Sequence, residues 1–196
     1  MQHAVNDEAL DTVFRTARSQ NKWLDKPVSN ALLMAVYDLM RMGPTSANCS
    51  PARIVFLTTP VAKERIKPHL LPSNIEKTMT APAVAVIGHD LDFPHYLPRL
   101  FPHNPGAKDW FHDPVLREKT AFRNGTLQGA YFIIAARALG LDCGPMSGFS
   151  NDAVDREFFA GTNIKSNFIC GVGYGDPSGV FPRSPRLAFD EACRFL

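Results

Sequence analysis

The sequence has almost no excess charge of either sign. Twenty-one Lys and Arg against nineteen Asp and Glu leave a formal net charge of +2 over 196 residues. That is too little for a non-specific nucleic-acid or anionic-membrane binder, so any basic site has to be local. Long apolar runs are also missing: the longest, around 83–87 and 131–136, fall far short of the ~20 residues that cross a bilayer. The opening MQHAVNDEALDTVF has neither the basic start nor the apolar centre of a signal peptide, and it reads as the start of a cytoplasmic enzyme. Cys49, Cys143, Cys170 and Cys193 lie far apart with no CxxC pair, which argues against a zinc site and a disulfide framework and leaves four reduced thiols. No repeat or low-complexity segment occurs. What is present is ordinary for one globular domain spanning 1–196: 45% hydrophobic and 20% charged residues.

Start and stop signals divide the chain. Asn6 or Asp7 can cap a first helix whose apolar stripe is Leu10, Val13, Phe14 and Ala17. Ser29 caps a second, carrying Leu32, Leu33, Val36, Leu39 and Met40, which Gly43-Pro44 ends. The loop GPTSANCSPA then leads into a strand, RIVFLT. Thr59-Pro60 starts a short helix closed around Pro68, and Ser73 another. The unbroken apolar run 83–87 predicts a central strand covered on both faces. Residues 88–112, rich in Pro and aromatics, are too long for a connector and read as a lid or substrate-side excursion. Asp113-Pro114 and Gly140 bound one helix of about 26 residues, roughly 39 Å long. Its second half, TLQGAYFIIAARALG, is apolar or small nearly all round and predicts burial in the core or against another subunit. A short LDCGPM segment, a helix capped by Ser150 or Asp152 through Phe159, a strand NFICGVGYG and an extended tail follow. This order predicts an α+β sandwich.

The compact motifs are weak. GVGYGD lacks the spacing and the following capped helix of a dinucleotide loop, so Gly173 and Gly175 read as a strand end that turns tightly or approaches other backbone closely. GPMSGF lacks the first glycine of a hydrolase elbow at Ser147. His89, His95, His103 and His112 fall in one wet loop without metal-ligand spacing, and no metal is expected. Cys143 has no base or cation nearby in sequence and reads as a buried thiol. A distributed set remains: Arg18-Ser19, PTSAN, Asn74 with Lys77, GPMSGF, and Arg186. Arginines with a hydroxyl suit a phosphate, and Ser, Asn and Lys suit a polar heterocycle.

ARSQNKWLDKPVS followed by GPTSANCSPARIVF resembles the opening of the FMN-dependent nitroreductase family. The likeness continues through SNIEKTMTAPAVAV, ALGLDCGPMSGF, ICGVGYGD and PRLAFDEA. GPTSANCSPARI, KTMTAP, LFPH, TAFRN, GPMSGF, IKSN and PRLAFDEAC resemble the branch containing the malonic semialdehyde reductase of pyrimidine degradation. The resemblance implies a three-layer sandwich, mainly antiparallel sheet flanked by helices, with the long central helix at a homodimer interface. It implies FMN between the subunits and NADH or NADPH as electron donor.

Position by position, Arg18 and Ser19 match the family's phosphate-binding start. Arg186 matches its C-terminal phosphate arginine, and Arg183 is close enough to share that role. Pro44, Thr45, Ser46 and Asn48 match the loop that reaches the other subunit's FMN. Asn74 and Lys77 match residues facing the pyrimidine edge of the flavin, and Pro145, Met146, Ser147 and Gly148 the segment beside N5. Asn21, within the phosphate segment, stands where much of the family has a basic residue. Ser50 and Ala52 replace the usual Gln and Trp, and Ser147 replaces an acidic residue. The implied reaction passes hydride through flavin N5, with no covalent protein catalyst, to a small acceptor, 3-oxopropanoate giving 3-hydroxypropanoate. From charge alone, Arg99 in the long loop or Arg123 on the long helix is the candidate partner of the acceptor's carboxylate. The alternatives are a broad nitroaromatic or quinone reductase and a non-catalytic flavin-binding protein.

Overall fold

Residues 3–196 are described by a computed structural model. Four strands, β1 (Ala52–Leu57), β2 (Ala83–Asp90), β3 (Asp142–Met146) and β4 (Ile164–Gly173), form one sheet in the order β1-β2-β4-β3, every neighbour antiparallel. All eight residues of β2 are buried, the outcome its unbroken apolar run predicts.

The pleat of β2 sorts the helices into two layers. Ala83, Ala85 and Ile87 pack with α2 (Asn30–Met40) and α6 (Pro114–Ala138), around Leu33, Val36, Met40, Phe132 and Ala136. Val84 and Val86 face the other way, where α3 (Pro60–Ile66), α4 (Pro72–Met79) and α7 (Asn151–Phe158) cover Ile66, Leu70, Met146, Val154 and Ile169. The expected α+β three-layer sandwich is therefore the observed one.

Capping chemistry sets the helix starts. Ser29, Thr59 and Asp113 accept backbone N–H bonds from Leu32, Ala62 and Val115, at 3.2, 3.1 and 3.0 Å. α6 runs 25 residues to Ala138, and Gly140 follows with φ +77. Among the described residues no helix is long and apolar enough to cross a membrane.

Several boundaries differ from the sequence expectation. α1 (Asp7–Leu10), capped by Asn6, widens into a π turn over Asp11–Arg15. That extra residue rotates the apolar stripe, and Phe14 is left 57% exposed. α4 begins at Pro72 without a Ser73 cap, and α7 begins after Ser150, whose side chain makes no cap bond. β4 starts at Ile164, three residues before the predicted run, because polar Lys165 and Ser166 pair with His89 and Gly88.

β2 continues through Asp90, so the excursion begins at Leu91 and His89 is a buried strand residue, not a loop residue. The excursion is three short helical pieces, Phe93–Tyr96, α5 (Leu97–Leu100) and Pro105–Phe111. They close on a small core of Phe93, Leu97, Ala107 and Phe111 with Cys49 and Ala121. The tail carries one helical turn, α8 (Phe189–Ala192).

Candidate active site

Residues 18–24 lie against the open edge of β3 and the end of β4. Ser19 bridges Cys143, Gln20 N–H donates to the Cys143 carbonyl at 3.0 Å, and Leu24 N–H donates to that of Tyr174 at 2.8 Å. Glycines allow this approach, as expected for Gly173 and Gly175. A Cβ at Gly175 would come within 2.2 Å of Gln20, and one at Gly171 or Gly173 within 2.7 or 3.1 Å of the Trp23 ring. Trp23 fills the slot they leave, and its indole N–H donates to the Lys77 carbonyl at 2.8 Å. The chain segment bearing Arg18 and the helix bearing Lys77 are thereby tied together. Trp23→Phe is expected to cost about 1–2 kcal/mol of stability, read as a lower urea midpoint; an unchanged midpoint would remove the indole bond from the account.

Arg18, Ser19, Asn21, Arg183 and Arg186 line one hollow of about 320 Å³, together with Arg137 from the last turn of α6. No carboxylate lines it, and none of its four arginines has an acidic partner among the described residues. Backbone carbonyls hold the guanidinium groups instead. Arg18 donates to Phe181, Arg183 to Arg15 and Ala17 at 2.7 and 3.0 Å, and Arg186 to Ser184 and Pro185. A concentration of unpaired guanidinium donors fits a dianion such as the phosphate of FMN. A second hollow, about 530 Å³, shares Asn21 and Phe181 with the first and is lined by Lys77, Ser73 and Glu76. The two hollows adjoin at Asn21 and Phe181.

The end of β3 meets α4. Asn74, 6% exposed, donates through Nδ2 to the Gly148 carbonyl at 2.8 Å, and Leu71 N–H donates to the same oxygen at 3.0 Å. Thr78 donates to the Met146 sulfur at 3.2 Å. A Cβ at Gly148 would lie 2.5 Å from Asn74 Nδ2, so the glycine is required by the close approach. Pro145 is half-buried, Met146 buried and Ser147 exposed. Lys63 closes the far end of α4: its ammonium donates to the Met79 and Ala81 carbonyls at 2.8 and 2.7 Å, and burial lowers its pKa.

The loop Pro44–Asn48 lies elsewhere in the chain, pinned to α6. Tyr131 donates to the Pro44 carbonyl at 3.0 Å, and Ser46 N–H donates to Asn124 at 2.9 Å. Thr45 Oγ1 accepts the Ser50 N–H at 3.1 Å, and Asn48 Nδ2 donates to the Leu100 carbonyl at 2.8 Å. Ala47, Asn48 and Ser50 have φ of 49, 50 and 39, a run of left-handed non-glycine residues that costs of order 1–3 kcal/mol each. Asn48 and Ser50 line a third hollow, about 540 Å³, with Arg41, Arg53, Tyr96 and Arg99. Arg41 pairs with Asp38 at 3.0 Å and Arg53 with Asp90 at 2.7 Å, whereas Arg99 has no acidic partner among the described residues. Arg123 is exposed on α6 and lines none of these three hollows.

Cys49, Cys143 and Cys170 are buried free thiols, and burial pushes Cys49 up to about 11, so Cys49 is not a poised nucleophile. No three potential metal ligands cluster among the described residues. Sequence reasoning missed Trp23 and Arg137. The available signal for Arg137 was its isolation, as the one charged residue in TLQGAYFIIAARALG.

The family profile described as the nitroreductase family matches residues 14–175. The Ralstonia pickettii protein HadB is 61% identical over 188 residues, covering 94% of this chain and 96% of its own. A Cupriavidus pinatubonensis protein is 60% identical over 191 residues, covering 96% and 97%. Both carry the provisional name NADH dehydrogenase/NAD(P)H nitroreductase. Among solved structures, a Bacillus subtilis nitroreductase-type protein, ydfN, superposes with a TM-score of 0.88 at 18% identity, covering 97% of this chain and 100% of its own. An Exiguobacterium sibiricum one, solved with FMN, gives 0.87 at 16%, covering 100% and 99%. The chain belongs to the nitroreductase family, and it is an oxidoreductase.

Proposed function

We propose that the protein is an NAD(P)H-dependent flavin oxidoreductase whose preferred acceptor is 3-oxopropanoate, reduced to 3-hydroxypropanoate. FMN is the cofactor and NADH or NADPH the electron donor. The observation that carries the reading is the hollow that Arg18, Ser19, Arg183 and Arg186 line together without an acid, adjoining a second hollow lined by Lys77. When bound, FMN supplies the centre that accepts and releases hydride.

The chain's own residues hold and bias that cofactor. Arg18, Ser19, Arg183 and Arg186 take the phosphate, and Asn21 lies between it and the ring end. Lys77 places its ammonium where negative charge grows at the pyrimidine edge on reduction, and so favours the reduced form. Asn74 fixes the Gly148 carbonyl, which orients the Pro145–Gly148 segment beside N5. Asn48 lines a different hollow of the same chain, and Thr45 and Ser46 precede it in the same loop, the separation expected if this loop completes the site of a second copy. The outward residues Met34, Tyr37 and Met42 of α2 and its exit, and Phe122 and Leu127 of α6, are large apolar groups left exposed, 39–79%, for such a homodimer to cover. The functional unit is the whole chain as one domain, working in the cytoplasm, with 91–112 forming one wall of the acceptor side.

The acceptor assignment rests on the branch resemblance and on Arg99, the one arginine of its hollow free to meet a single carboxylate. The names of HadB and its relatives favour a second reading, a broad nitroaromatic or quinone reductase. A panel of kcat/KM values decides between them. We expect 3-oxopropanoate to exceed propanal at least tenfold, and Arg99→Gln to remove that advantage by raising KM. Turnover of nitroaromatics or quinones without any preference for the acid would establish the second reading instead.

A further inference from the structure

We propose that Arg137 is a phosphate-binding residue of the flavin site. The inference rests on the FMN reading of the arginine-lined groove. Arg137 leaves the last turn of α6 and lines the 320 Å³ hollow with Arg18, Ser19, Asn21, Arg183 and Arg186. One Nη1 hydrogen goes to the Val13 carbonyl at 3.0 Å, which fixes the guanidinium against the first turns of the chain. Its Nε is sealed from solvent and bonds to nothing, one of three such buried side-chain atoms among the described residues.

A half-buried guanidinium with an unbonded nitrogen and no carboxylate is an unfavourable arrangement on its own. The neighbouring arginines aggravate it, since four like charges share a small polar space that contains no acid. An anion in that space relieves the crowding of like charge. Asn21 faces the same hollow but spends its Nδ2 on the Gly179 carbonyl at 3.3 Å. It brings no charge, and Arg137, on a different element, lines the same hollow with a guanidinium. The competing role is purely structural: a cation in the last turn also complements the C-terminal end of the α6 dipole.

Competition between FMN and riboflavin separates the two roles, because the flavins share a ring and differ in the phosphate. The holoenzyme is equilibrated with rising riboflavin and the bound flavin is quantified. Wild type is expected to prefer FMN strongly. Arg137→Gln should cut that preference at least tenfold, and Arg137→Lys, which keeps the charge without the planar fork, should fall between them. The preference should also lose part of its salt dependence in Arg137→Gln. If the ratio is unchanged in both variants, or if both flavins weaken equally, Arg137 only supports α6 and the proposal is wrong. If Arg137→Gln does not fold, Arg137→Lys alone decides: a preference equal to wild type overturns the proposal, and an intermediate one supports it. A wild-type protein that binds FMN and riboflavin equally would instead overturn the phosphate reading of the whole groove.

Discussion

Replacing Lys77 with methionine is expected to lower the midpoint potential of the bound flavin by about 30 mV and to slow its reduction by NAD(P)H about tenfold. A donor aimed at developing negative charge in a dry site contributes about 3 kcal/mol. Lys77 is half-buried, so roughly half of that is expected, and about 1.4 kcal/mol corresponds to about 30 mV for a two-electron couple and to a factor of about ten in rate. Methionine keeps the length and the apolar stem, and the Trp23 bond to the Lys77 carbonyl is a main-chain contact that survives the change. The fold should therefore be intact, and potentiometry of the purified variant reads the charge alone. An unchanged potential would remove Lys77 from the chemistry and leave it a helix lysine.

The largest stability loss is expected at Phe132→Ala, about 3–5 kcal/mol. The ring is fully buried in the second half of α6, in the cluster that joins α2, α6 and the odd face of β2, and it meets Phe56 with centroids 6.1 Å apart. Its removal leaves a cavity between rigid neighbours on a helix and a central strand, with little scope for collapse. Against a typical total of 5–15 kcal/mol, that is a third or more of the stability of many domains. Urea unfolding should show a lower midpoint with an unchanged slope, whereas a midpoint within experimental error of wild type would contradict the core described above.

The legible parts of the fold were those written in local chemistry. β2 announced itself because a strand covered on both faces has no polar alternation, and α6 because Asp113-Pro114 and Gly140 are strong terminal signals. The illegible parts depend on partners distant in sequence. Lys165 and Ser166 are strand residues only because β2 extends to His89 and Asp90, and no local pattern in IKSN states that. His89 looked like a loop histidine for the same reason. The π turn at Asp11–Arg15 conceals itself because Leu10, Val13, Phe14 and Ala17 have ordinary helical spacing.

The candidate site divides in the same way. Arg18, Ser19, Asn21, Arg183 and Arg186 were named from sequence and share one hollow, although more than 150 residues separate the two groups. Asn74 and Gly148 were named and are in contact. Arg137 and Trp23 were not, since each does its work through tertiary neighbours: Arg137 through a polar hollow at the end of an apolar helix, Trp23 through a slot cut by glycines in two strands. Arg99 was named from charge alone, and its distinction from Arg41 and Arg53 emerges only when their acidic partners are seen.

The most direct test of flavin-mediated transfer is an anaerobic absorbance series on the purified protein: as isolated, after NADPH, then after 3-oxopropanoate. The account predicts a yellow protein that NADPH bleaches and the aldehyde acid recolours. A protein that stays colourless after incubation with FMN, or a flavin that neither NADPH nor NADH can bleach, would contradict it.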